Sequence, residues 1–164
     1  MYAGHFAAGL ALRGRAPRVP VPFLLVGAFL LDFLWIAFGV FHLDKTDWDD
    51  WSHSLVMSMI WATLFAALFW RLGRRAFVVV WLAVISHYVL DLTVQGARYY
   101  PNEPRAWLIR PFVTDHYRWF QAIVCLALMS VFVYDCRREA LPPLRVWAVF
   151  AIVMLMNFRF LLGV

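Results

Sequence analysis

The strongest constraint on this chain is a series of apolar runs, each about as long as a membrane is thick, broken by short charged turns. The runs cover residues 22–41, 52–70, 77–94, 119–134 and 146–164, and a shorter apolar stretch, 1–12, precedes them. A helix needs about 20 apolar residues to cross the hydrocarbon core. Backbone polar groups in lipid must also be satisfied within the segment, so the expected secondary structure is helical throughout. The fold expected is all-α: one polytopic membrane helix bundle over residues 1–164, with five spans plus a short N-terminal helix. Composition agrees, with 64% hydrophobic and 18% aromatic residues in a chain of 164. Soluble domains carry roughly 45–50% apolar residues.

Net charge is +5, but the arginines sit in turns between apolar runs and form no patch for nucleic acid. The expected partners are membrane lipids. Turns 13–18, 71–75 and 137–145 hold nine arginines, whereas 42–51 and 95–118 hold Lys45 and four arginines with six carboxylates. The positive-inside rule puts the first set in the cytoplasm. No cationic segment precedes the first apolar stretch and no Ala-x-Ala follows it, so no cleavable signal peptide is expected. Cys125 and Cys136 are about 16 Å apart along one helix, too far to bridge, and read as packing residues. Segment 95–118, with three prolines and a group of tyrosines and tryptophans, reads as an ordered loop in the interfacial aromatic belt.

Ionisable side chains interrupt the apolar runs at few places. His87 and Asp91 lie four residues apart inside 77–94 and so share one helix face. Asp32 interrupts 22–41 between Leu31 and Phe33, His5 is the ionisable side chain of 1–12, and His53 follows Ser52, a candidate N-cap for the second span. Counted from the nearest basic turn, these five stand roughly 12–27 Å up their helices. They are therefore expected to converge in one layer in the outer part of the bilayer. An unpaired carboxylate or imidazole is costly there and usually faces a site or a cavity. His and Asp on one face suit a divalent cation; they also suit a structural hydrogen-bond network, or a proton relay in a small transporter. Gln95 extends the His87/Asp91 face by a further turn. Arg159 and Asn157 lie deep in the last span, where Arg159 is a candidate counter-ion. His42 and His116 read as solvated loop residues, and 42–51 reads as an acidic loop containing Asp44, Asp47, Asp49 and Asp50. Ser54, Ser58 and Ser86 read as small packing residues. No Gly-x-Ser-x-Gly elbow, phosphate loop, His-Glu-x-x-His pair or paired-cysteine motif is present.

In order along the chain stand Gly4-His5-Phe6-Ala7-Ala8-Gly9, Asp32 after an apolar run, Trp51-Ser52-His53-Ser54-Leu55 and Ser86-His87-Tyr88-Val89-Leu90-Asp91. In these motifs, residues 1–95 resemble the membrane-bound metal-dependent hydrolases of the bacterial inner membrane, a group that includes LexA-regulated members. The His-x-x-x-Asp element is similar, more weakly, to part of the signature of zinc-dependent phospholipases C. The resemblance implies an inner-membrane hydrolase, with a lipid or other phosphoester as its substrate class. It implies a divalent cation such as Zn²⁺ on His5, Asp32, His53, His87 and Asp91, with Asp32, His87 and Asp91 catalytic. Family members often carry a second carboxylate where Leu34 stands, a His-Arg pair where Trp48-Asp49 stands, and some a histidine where Gln95 stands. These replacements leave one cation, or none, as the expectation.

Overall fold

The computed structural model describes residues 2–41, 48–94, 96–106 and 117–162. They form seven α-helices: α1 Tyr2–Ala11, α2 Val21–Phe41, α3 Trp48–His53, α4 Leu55–Ala67, α5 Arg74–Val94, α6 Tyr117–Arg138 and α7 Pro143–Leu162. Among the described residues there is no strand, only an isolated antiparallel bridge between Ala97 and Ala106.

Helix α1 is short because its run of small residues ends at the basic turn, yet it lies at the centre of the bundle, against α2, α5, α6 and α7. Ala3, Gly4, His5, Ala7, Ala8, Gly9, Leu10 and Ala11 are all buried. Small side chains permit this, because helices in lipid associate by close packing. A methyl group on Gly9 would lie 3.0 Å from the Leu24 carbonyl oxygen and 3.3 Å from Ala28 Cβ, so α1 and α2 touch nearly backbone to backbone. Below it, Arg13 pairs with Glu139 at 2.7 Å and Arg15 with Asp135, tying the first basic turn to the end of α6. Cys125 and Cys136 are buried and unbridged, as their spacing predicts.

Of the five expected spans, three correspond to helices long and apolar enough to cross a membrane: Val21–Phe41, Arg74–Thr93 and Trp119–Arg138. Large side chains on their outer faces, among them Phe33, Ile36, Val40, Val89, Ile123 and Leu126, are exposed, as expected of surfaces that meet acyl chains. The run 52–70 falls short for a local reason. It is not one helix from Ser52: α3 ends at His53, Ser54 turns extended (φ −73°, ψ 153°), and α4 begins at Leu55. The Ser52 N-cap expectation is therefore corrected. The 13 residues of α4 rise about 20 Å, less than the hydrocarbon core. The described apolar part of α7, Pro143–Phe158, rises about 24 Å by the same measure.

The break at Ser54 is held from outside α4. The Leu55 and Val56 N–H groups donate to the carbonyls of Arg98 (2.9 Å) and Tyr99 (3.2 Å), and the Ser54 hydroxyl donates to the Asp50 carbonyl at 2.7 Å. Loop 96–106 thus satisfies helix-start donors that a capping side chain usually takes. Gly96, at φ 73°, closes α5 by donating to the Asp91 carbonyl at 3.1 Å. Tyr99, Tyr100 and Trp119 are exposed, whereas Trp107 and the Tyr117 side chain lie outside the described residues.

Candidate metal centre

Four helices bring His5, Asp32, His53, His87 and Asp91 together. His87 and Asp91 stand one turn apart on α5, with His87 Nε2 3.2 Å from Asp91 Oδ2. The His87 ring is fixed from α2, since its Nδ1 lies 2.7 Å from the Ala28 carbonyl oxygen. A carbonyl only accepts, so Nδ1 carries a proton, and Nε2 faces the cluster. The preceding residue, Gly27, permits the approach: a methyl there would meet Phe65 at 3.3 Å and Ala83 at 3.4 Å. Asp32, one turn above Ala28 on α2, places Oδ1 3.6 Å from His87 Nε2 and 3.4 Å from His53 Nε2. His53 gains its place from the break after α3, and its Nδ1 is engaged by the Ser52 hydroxyl at 2.7 Å.

Four donor atoms therefore close a ring in which nitrogen and oxygen alternate. Its edges are His87 to Asp91 3.2 Å, His87 to Asp32 3.6 Å, His53 to Asp32 3.4 Å and His53 to Asp91 3.9 Å. Most are longer than a good N–H···O hydrogen bond, about 2.7–3.2 Å. His5 closes the inner side, with Nε2 3.4 Å from Asp91 Oδ1. Its ring stacks on that of His87, centroids 3.9 Å apart and planes 7° apart. Two trios, His5–His87–Asp91 and Asp32–His53–His87, have ligand atoms close enough to hold a metal ion. Among the described residues, His87 Nε2, Asp91 Oδ1 and His5 Nδ1 are buried without a hydrogen-bond partner. Buried polar atoms are ordinarily satisfied, and a cation in the ring would satisfy the first. The donor set fits one.

The site is graded from a closed base to an open rim. The side chains of His87 and His5 are 0% and 2% exposed, whereas Asp32 is 27% and His53 18% exposed. Two carboxylates in so dry a place need compensating positive charge. One divalent cation among neutral imidazoles supplies it, and so do two protonated imidazoles in a structural network.

Three contributors escaped the sequence reading. Asp50, read only as one carboxylate of the acidic loop 42–51, is 1% exposed. It pairs with Arg98 and accepts the Asn102 N–H at 2.8 Å. This contact clamps loop 96–106 onto α3, three residues before His53, and so supports the rim. A buried aspartate partnered across 48 residues leaves no local sequence signal. Gln95, His42, His116 and the Arg159 side chain lie outside the described residues. Asn157 is buried on α7.

The chain matches no protein-family model, no curated protein and no solved structure.

Proposed function

We propose that the protein is a membrane-embedded metal-dependent hydrolase whose site opens toward the outer face of a bacterial inner membrane, with a lipid or other phosphoester as its substrate class. In this reading α4 and α7 are embedded beside the three longer helices, which makes five membrane segments around α1. The observation that carries it is the closed ring of alternating imidazole nitrogens and carboxylate oxygens, with orphaned donor atoms at its base and one open side. The order of motifs through residue 95 supports the same class by resemblance.

His53, His87, Asp32 and Asp91 would hold the cation. When bound, a divalent ion such as Zn²⁺ polarises a phosphoryl oxygen and activates water. The chain's own part is orientation and exclusion. The Ala28 carbonyl fixes the tautomer of His87, a second-shell contact that strengthens a ligand. The Ser52 hydroxyl holds Nδ1 of His53 so that Nε2 faces the ring. Asp32, on the open side, is the ligand nearest an entering substrate. The buried base formed by His5 and His87 keeps solvent from approaching behind.

The test is hydrolysis of short-chain phosphatidic acid and p-nitrophenyl phosphate by detergent-purified protein supplied with Zn²⁺ or Mn²⁺. Turnover should be abolished by chelator and fall at least about 100-fold in Asp32→Asn, which removes an anionic ligand of the cation that activates water. Stoichiometric metal with no turnover on either substrate would argue for a cation-binding structural centre instead.

A further inference from the structure

The ring of four donors uses only one oxygen of Asp91. The other, Oδ1, faces His5 Nε2 at 3.4 Å and is buried without a hydrogen-bond partner among the described residues. An imidazole lone pair lies in the ring plane. The rings of His5 and His87 are parallel within 7° and 3.9 Å apart, so their nitrogens aim at two neighbouring points rather than one. Each point has its own oxygen of Asp91: Oδ2 for His87, Oδ1 for His5. His87 cannot serve both points, because its Nδ1 is committed to the Ala28 carbonyl.

We infer that the cluster takes two divalent cations bridged by the carboxylate of Asp91: one on His53, His87, Asp32 and Asp91 Oδ2, the second on His5 Nε2 and Asp91 Oδ1. This deepens the metal-centre reading and rests on it. It also departs from the single cation that the replacements at Leu34, Trp48 and Gln95 lead one to expect, since the second position uses none of them.

Two properties follow from the donor count. The second position has two protein donors, and among the described residues His5 Nδ1 lacks the outer partner that normally orients a ligand imidazole. It is therefore the weaker of the two and keeps positions open. Asp32 and Asp91 together offset one divalent charge, so a doubly loaded site carries net positive charge. It is completed by an anion, which selects a phosphoester with a charged oxygen over a neutral ester or amide.

The experiment is titration of metal-free, full-length protein in detergent with Mn²⁺, read by equilibrium stoichiometry and electron paramagnetic resonance, with Zn²⁺ stoichiometry in parallel. The wild type should bind two ions in sequence and give an exchange-coupled spectrum at the second equivalent. Inorganic phosphate should tighten the second ion and leave the first nearly unchanged. His5→Gln should bind one ion with an uncoupled six-line spectrum. One ion in the wild type, or a coupled pair that survives in His5→Gln, would overturn the bridge while leaving the single-cation centre standing. If His5→Gln fails to fold, the wild-type stoichiometry and spectrum still decide. Binding of neither metal would overturn the metal centre itself, and the bridge with it.

Discussion

His87 Nδ1 sits 2.7 Å from the carbonyl oxygen of Ala28, so the backbone of α2 sets the tautomer of a side chain on α5. The geometry depends on how closely those helices approach, and Gly27 controls that approach. A methyl group there meets Phe65 and Ala83 at 3.3–3.4 Å, which small shifts can relieve, whereas a branched side chain has no room. Gly27→Leu should lower unfolding stability by roughly 1–3 kcal/mol, the usual cost of overpacking, and weaken cation binding at the same time. Gly27→Ala should cost clearly less. Thermal unfolding of the two variants with and without added cation measures both effects. Equal stability and affinity in Gly27→Leu would show that the interhelical contact does not govern the site.

Asp50 and Arg98 make the second separable test. Removing one partner of a buried ion pair strands the other, at about 3–5 kcal/mol. Arg98 is partly exposed, so the lower end applies to Asp50→Ala. Because the pair anchors loop 96–106 to α3, the loss should be local: faster proteolysis within 96–106, and weaker cation binding through His53, with α1, α6 and α7 still protected. Hydrogen exchange resolves the pattern. Uniform loosening of all helices would mean that the clamp supports the whole fold rather than the rim.

Orientation in the membrane follows from loop charge and is independent of the site. Single cysteines at Asn102 and Arg138 should behave oppositely in intact cells, the first open to an impermeant maleimide from outside and the second protected. The native Cys125 and Cys136 are buried and should give little background. Labelling of position 138 but not 102 would invert the topology and move the open rim to the cytoplasmic side.

The sequence shows the helices, the apolar length of three of them and the residues of the cluster, because each of these is a local pattern: an apolar run, or an ionisable side chain that interrupts one. Helix α1 was harder to place. Ten residues rise about 15 Å, too short for a span, and only packing reveals that Ala3, Ala7 and Gly9 make it the axis of the bundle. The break at Ser54 was hidden for a related reason. Its stability comes from carbonyls of Arg98 and Tyr99, more than 40 residues away, and not from a capping side chain. The role of Asp50 leaves no sign, because an aspartate in an acidic loop and one buried against an arginine look alike in sequence. Spacing could propose that five groups share a layer. The parallel stacking of His5 on His87, which separates one cation position from another, is a property of helix rotation and needed coordinates.

The central claim is that a divalent cation holds His87 and Asp91 together. Elemental analysis of wild type and Asp91→Asn, both purified without chelator, tests it most directly. Asparagine preserves size and one oxygen but removes the charge that neutralises a cation. The wild type should carry at least one equivalent of divalent metal, and Asp91→Asn should lose it while keeping a folded helical spectrum. A metal-free wild type that takes up no added Zn²⁺ or Mn²⁺, with Asp91→Asn equally stable and unchanged, would contradict the account and leave the cluster a structural network.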